Sequence, residues 1–167
     1  MDLNNLIIKL KDRLSPKLFN HCIGTMKEAE KLGLHYSVDV NKAKTAGLLH
    51  DCGKSERGKD NLTHAETGAI LAKEVYNVQD EDIINAIKNH TTGRENMTTL
   101  EKIIYIADKI EPNRHYEGVE ELREMAYKDL DAAIIVSLEK TIEYVKNMNM
   151  VLDYQSLNTL NFLKEKR

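Results

Sequence analysis

Six side chains able to bind a metal fall at positions that separate helices can bring to one point: His21, the doublet His50-Asp51, His64, His90 and Asp108. Imidazole together with carboxylate suits Zn, Fe, Mn or Co and needs no thiolate. Each histidine taken alone reads as a hydrogen-bonded core or surface residue. The set reads differently because of Asp108. An ionised aspartate on an apolar helix face costs several kcal/mol unless it is paired or bound to a metal, and its helix offers no cation on that face. The doublet lies in Gly47-Leu48-Leu49-His50-Asp51-Cys52-Gly53-Lys54. Consecutive helical residues diverge by about 100°. Both therefore reach one ion only at a helix end, which Gly53 is expected to supply, exposing the doublet at the last turn. Asp51 has two oxygens, so it can bridge two ions roughly 3.5–4 Å apart, or bind one ion and the water on it.

The elements that must position these residues read as helices. Leu3, Leu6, Ile7 and Leu10 mark a first one. Ser15 caps and Pro16 opens a second, expected to run to about Leu32 and end at Gly33. Its core stripe is Leu18, Cys22, Met26 and Ala29, with His21 at the edge. Asp39 caps a third, in which Ala43, Ala46 and Gly47 let another backbone come close before His50. Residues Ser55 to Leu62 are polar and read as a loop. Thr63-His64-Ala65-Glu66 has the form of a capping box. It puts His64 in the first turn of a fourth helix, in line with Gly68, Leu71, Ala72 and Val75. Asp80 caps a fifth, with Ile83, Ile84 and Ile87 inward and His90 closing the stripe. Thr91-Thr92-Gly93-Arg94 forms a turn, and Thr98-Thr99-Leu100-Glu101 is a second capping box. Asp108 follows inward-facing Ile104 by four residues. Glu111-Pro112-Asn113-Arg114 stops or kinks that helix. Segments of roughly 119–127, 129–148 and 154–166 add further helices, with Ala132, Ile135, Val136, Leu138, Ile142 and Val145 as the apolar stripe of 129–148. The expectation is an all-α fold: one domain over residues 1–167, the helices of about 129–166 packing on it, and the metal site in the core between helices.

Bulk composition agrees. The chain has 167 residues, enough for one buried core. Two prolines and eight glycines leave little to interrupt helices. A net charge of -3 without a dominant lysine or arginine run speaks against a nucleic-acid groove. Positive charge for an anionic substrate must then be local: a metal, a helix N-terminus or a few basic side chains. Cys22 and Cys52 are too few for a disulfide framework and read as small buried thiols. Asp2, Asn4 and Asn5 interrupt any signal-like run, and no stretch has the length of a membrane span. The expected location is the cytoplasm, with no membrane partner.

The order His21, then His50-Asp51, then His64 and His90, then Asp108 resembles the HD-domain phosphohydrolase superfamily. Three segments narrow the resemblance: Leu14-Ser15-Pro16-Lys17, His90-Thr91-Thr92-Gly93-Arg94, and Ile106-Ala107-Asp108-Lys109-Ile110-Glu111-Pro112-Asn113-Arg114. They are similar to the YqeK-type symmetrical bis(5'-nucleosyl)-tetraphosphatase family, over nearly the whole chain. The resemblance implies an all-helical HD domain that cleaves diadenosine tetraphosphate at its central phosphoanhydride to give two ADP. It implies iron or a similar transition metal (Mn, Co, Zn or Ni), as one or two ions. Carried over residue by residue, His21, His50, Asp51 and Asp108 become ligands of the main ion. His64 and His90 face the phosphates or complete a second metal site. Leu18 departs from the family, which commonly has arginine before its Phe-x-His segment.

On this reading a metal acidifies a bound water, Asp51 orients or deprotonates it, and hydroxide attacks phosphorus in line. His64 adds the positive end of its helix dipole. Lys54, Lys109 and Arg114 are phosphate contacts or solvated surface charges. Thr91, Thr92 and Gly93 cradle phosphate or ribose through backbone N–H groups, or form a plain interhelical turn. Tyr116 stacks on a base or packs locally. His21 also borders the substrate. His35 and His115 fit no ligand stripe and read as surface residues. Two alternatives compete: another HD nucleotidase acting on nucleoside mono- or diphosphates, and a nucleotide-binding regulatory HD domain without turnover. Regulatory versions usually lose a ligand, and here all six positions are filled. The partner is a dinucleoside polyphosphate or another nucleotide, and the C-terminal helices leave room for a homodimer.

Overall fold

Short polar side chains set most of the helix starts. In a computed structural model, which describes residues 2–55 and 63–167, Asp2, Ser15, Asp39, Asp80, Thr98, Asp129 and Asp153 each accept a hydrogen bond from a first-turn N–H. Such a cap satisfies a donor that the helix cannot. The helices are α1 (Leu3–Lys11), α2 (Pro16–His35), α3 (Val40–Leu49), α4 (His64–Glu74), α5 (Glu81–Lys88), α6 (Thr99–Ile110), α7 (Val119–Lys128), α8 (Leu130–Asn147) and α9 (Tyr154–Glu165), with a 3₁₀ turn at Cys52–Ser55. No strand occurs among the described residues, so the all-α expectation holds. Residues 56–62 of the expected loop lie outside the described residues.

The two expected capping boxes differ. Thr98 and Glu101 exchange both bonds, at 3.2 and 2.7 Å. Thr63 makes no side-chain cap bond to α4, because its own backbone is already helical. Two helix ends also move. α2 continues past Gly33 to His35. Gly33 lacks a side chain because the Ala43 methyl of α3 packs there, 3.1 Å from where a Cβ would sit. It is a packing glycine, not a terminator. α3 stops at Leu49 with His50 as its C-cap, and Asp51 and His50 are fully buried. The expected exposure of the doublet is therefore wrong. Gly53 does not open the chain to water; it lets the first turn of α4 pack on the 3₁₀ turn, where a Cβ would overlap the His64 carbonyl and the Gly68 nitrogen.

The core is organised on α6, whose Ile103, Ile104, Tyr105, Ile106 and Ala107 have no exposed surface. Each large side chain buried this way contributes about 1.5–3 kcal/mol. α6 packs against α2, α3, α5, α7 and α8. α8 buries Leu130, Ala133, Ile134, Ser137, Leu138 and Ile142, while Ala132, Ile135, Val136 and Val145 are half-buried. The buried face is thus rotated from the expected stripe. α7 and α9 also pack on α8, so its apolar surface is wider than one stripe.

Candidate metal and phosphate site

Five local structures deliver the cluster. α2 carries His21, anchored by Thr25 Oγ1 donating to the His21 carbonyl at 3.0 Å. The end of α3 gives His50 and Asp51, the first residue of α4 is His64, His90 follows α5, and the last turn of α6 gives Asp108. All six sequence candidates converge. His21 Nε2 lies 3.1 Å from His50 Nε2, 2.9 Å from Asp108 Oδ1 and 3.5 Å from Asp51 Oδ2. His50 Nε2 lies 3.4 Å from Asp51 Oδ2 and 3.5 Å from Asp108 Oδ1. On the other side, Nε2 of His64 and of His90 are 3.1 Å apart, and 3.2 and 3.3 Å from Asp51 Oδ1. Asp51 joins the two groups through its two oxygens.

The protons identify what fits. A carbonyl oxygen only accepts, so His50 Nδ1–H donates to Gly47 O at 2.8 Å and His90 Nδ1–H to Ile87 O at 2.7 Å. His21 Nδ1 lies 3.1 Å from Glu111 Oε1. In the neutral form that binds a metal, each of these imidazoles then presents its Nε2 lone pair to the centre. Partnering the outer nitrogen in this way fixes a metal-binding tautomer. Asp51 Oδ1 is buried and accepts no hydrogen bond, although two imidazole nitrogens face it. Lone pairs and carboxylate oxygens pointed at one another inside a protein repel unless a cation lies between them. His21, His50 and Asp108 form one group of ligand atoms within 4.8 Å of each other, and His50, Asp51 and His90 another. This donor set fits a divalent metal ion.

The ionisation shifts agree. Burial pulls the His50 pKa down, but Asp51 and Asp108 more than offset it and lift it to about 9. Burial raises the Asp51 pKa, yet His50, His64 and His90 hold it well below the usual carboxylate range. Asp108 is likewise low against its burial, through Lys109, His21 and His50. His90 is shifted down, chiefly by burial. The centre therefore keeps its carboxylates charged and draws positive charge. The neighbouring thiols do not contribute. Desolvation raises Cys22 and pushes Cys52 up to about 12.

The basic candidates are at the site. Lys54 Nζ reaches Asp51 Oδ2 at 2.8 Å, Lys109 Nζ reaches Asp108 Oδ2 at 2.6 Å, and Arg114 Nη2 reaches Asp108 Oδ1 at 2.8 Å. Asp108 thus has the cations that its helix seemed to lack. Thr91 and Thr92 line a cleft with His64 and His90. Gly93 does not, and its N–H is committed to Asn89 O at 2.9 Å, so it offers no cradle. Its φ of +65° and its contact with Thr159 explain the glycine. Arg94 serves the same turn by a paired contact with buried Glu101, at 2.6 and 2.8 Å. Tyr116 lines neither cleft at the cluster, and its hydroxyl donates to Lys109 O at 2.7 Å.

Two residues escaped the sequence reading. Glu111 is buried and grips His21, while its other oxygen accepts from the Asn113 backbone and side chain. Its spacing of three from Asp108 puts it on the same helix face, a usable signal that proline at 112 obscured. Arg123 of α7 donates to the carbonyls of Ile110, Glu111 and Arg114 and so holds the loop that carries Glu111.

Residues 18–113, more than half of the chain, match the HD domain family. The chain belongs to the HD-domain family. Within it, the chain is 39% identical, over 92% of both proteins, to the symmetrical bis(5'-nucleosyl)-tetraphosphatase of Halalkalibacterium halodurans. Its identity to the enzyme of the same name from Bacillus subtilis is 35%, over 92% of this chain and 93% of that one. The 1.50 Å crystal structure of a predicted HD superfamily hydrolase from Clostridium acetobutylicum superposes with a TM-score of 0.91 at 36% identity, covering 100% of this chain and 99% of that one. The two tetraphosphatases cover 92% of the chain, and the crystal structure covers all of it.

Proposed function

We propose that this HD protein hydrolyses diadenosine tetraphosphate at its central phosphoanhydride to give two ADP. The observation that carries the reading is Asp51, whose two oxygens address two sets of imidazoles while Oδ1 accepts no hydrogen bond. The names of the relatives that match over 92% of the chain support the substrate. His21, His50, Asp51 and Asp108 would hold a divalent ion, proposed as iron, with Mn, Co, Zn or Ni able to substitute in a nitrogen–oxygen donor set. Such an ion, when bound, acidifies water and polarises a phosphoryl oxygen.

Asp51 Oδ1 orients the attacking water or takes its proton. His90, with its proton fixed on Nδ1, offers Nε2 as an acceptor or as a ligand to a second ion. His64 begins α4, where helix N–H groups favour anions, and its imidazole approaches the phosphate. Lys54, Lys109 and Arg114 turn from Asp51 and Asp108 to phosphoryl oxygens once those carboxylates are neutralised, and Thr91 and Thr92 border the same space. The reading of residues 1–167 as one domain is supported by a single hydrophobic cluster running from Leu6 to Leu163. The proposed setting is the cytoplasm; no helix among the described residues is long and apolar enough to cross a membrane.

The test is product analysis. Purified protein of known metal content is incubated with diadenosine tetraphosphate and the products are separated. Two ADP is the expected outcome. AMP with ATP, or no cleavage with any of the metals named, overturns it.

A further inference from the structure

The chain leaves α6 at Glu111, and the way it leaves decides where the Glu111 carboxylate goes. Glu111 has φ −53° and ψ 155°, the extended conformation that a residue before proline favours. The last carbonyls of a helix have no partner within it. Here Ala107 O accepts from the Glu111 N–H at 3.0 Å, and side chains from further along the chain take the others. Asp108 O accepts from Arg114 Nε at 2.9 Å, Lys109 O from the Tyr116 hydroxyl at 2.7 Å, and Ile110 O from Arg123 Nε at 2.8 Å. Arg123 continues the series, its Nη2 donating to Glu111 O at 2.9 Å and to Arg114 O at 3.0 Å. Its Nη1 donates to Glu120, one turn earlier on α7, which fixes the plane of the fork. One guanidinium of α7 thus holds the end of α6, the residue on His21 and the residue on Asp108.

The held backbone has a demanding side chain. Glu111 Oε1 lies 3.1 Å from His21 Nδ1, and Oε2 accepts from the Asn113 backbone and side-chain nitrogens at 2.8 and 3.0 Å. The carboxylate rests on α2 at Gly24, where a Cβ would overlap it. A carboxylate on the outer nitrogen of an imidazole fixes the ring and makes the inner nitrogen a stronger metal donor. A backbone shift of about 1 Å at Glu111 takes Oε1 out of hydrogen-bond range of His21. Arginine suits the task of preventing it. Its planar fork places several donors at once, whereas a lysine ammonium is a point charge on a flexible stem. The sign of the effect separates geometry from charge. A cation near a metal seat repels the incoming ion, so on charge alone the removal of Arg123 tightens metal binding.

We infer that Arg123 is a positioning residue of the metal seat, which raises the metal affinity of His21 by holding Glu111 against it. This rests on the hydrolase reading, with His21 among the metal ligands, and deepens it. Arg123 reaches Glu111 at its carbonyl, so its influence on the imidazole passes through the backbone of the 111–114 segment. The seat then extends to α7, a helix that supplies none of the six cluster residues.

The test is a double-mutant cycle read as Co²⁺ affinity, by competition against a chelator of known affinity. Wild type, Arg123→Lys, Glu111→Ala and the double variant are compared, and thermal unfolding of each metal-free protein is recorded. Arg123→Lys keeps the positive charge and loses the fork. Its Co²⁺ affinity is expected to fall about fivefold, below the range of about 10–100-fold for direct outer partners of metal-binding histidines. In the Glu111→Ala background the same substitution is expected to change affinity by less than about twofold, because no carboxylate remains to be positioned. A lower unfolding temperature does not reproduce this pattern, since a general loosening weakens metal binding with or without Glu111. Equal losses in both backgrounds overturn the inference and assign Arg123 to the fold alone. Unchanged or tighter binding by Arg123→Lys, or no Co²⁺ binding by the wild type, also overturns it. Failure of the hydrolase reading shows separately, as a wild type that binds Co²⁺ and releases no ADP from diadenosine tetraphosphate.

Discussion

The two halves of the histidine–aspartate cluster are finished to different degrees. In the half built by α2, α3 and α6, every outer contact is made: His21 on Glu111, His50 on the Gly47 carbonyl, Asp108 on Lys109 and Arg114. In the half built by α4 and the end of α5, His90 is fixed on the Ile87 carbonyl. His64 Nδ1, however, is buried without a partner among the described residues, and Asp51 Oδ1 accepts nothing. Buried polar groups left without partners are uncommon and mark places where something else completes the structure. The partnered half has the rigidity that a resident ion requires. On the proposed function, the other half is where a phosphoryl group or a second ion would arrive.

Asp51 belongs to both halves, so its loss should give the largest effect. Asp51→Ala is expected to lower kcat/KM by about 10³ or more, the scale of losing a principal electrostatic group, and to abolish tight metal binding. Steady-state kinetics with elemental analysis of the purified variant measures both. Retained activity, or full metal content, would mean that the carboxylate bridges nothing.

His64→Ala tests the unfinished half alone. Turnover should fall about 10²-fold, within the range for a lost acid–base or charge-stabilising group, while at least one ion per chain is retained. An imidazole with no outer partner among the described residues has less to contribute to the seat of a resident ion. If the variant loses all its metal, the two halves are one seat and the division drawn above disappears.

Much of this was legible in the sequence, and the reasons are local. The caps at Asp39, Asp80 and Thr98, and the stripes of α5 and α6, follow from patterns within a dozen residues. The convergence of His21, His50, Asp51, His64, His90 and Asp108 was legible because each closes or edges an apolar stripe that had to face inward. What failed depended on neighbours distant in sequence. Gly33 and Gly53 read as helix stops, yet each is small because another element touches it: α3 at Gly33, and the first turn of α4 at Gly53. The burial of the doublet follows from the second of these contacts. Glu111 read as part of a proline turn because its partner His21 lies 90 residues away.

Glu111 offers the finest test, because it acts on the finished half without touching its centre. Glu111→Gln keeps the shape, and the amide oxygen can still accept from His21 Nδ1, but the negative charge that makes His21 a stronger donor to a metal is gone. Metal affinity should fall about tenfold, the low end of the range for outer partners of metal-binding histidines, with kcat at saturating metal close to wild type. Competition against a chelator of known affinity reads the first quantity. Gly24→Ala reaches the same contact by another route. A methyl group there would overlap the Glu111 carboxylate and press on Asn113, so Glu111 must shift, and a loss of similar size is expected. If both variants bind metal like the wild type, the outer contacts of this half are structural only. The distinction between a prepared seat and an unfinished one would then rest on His64 alone.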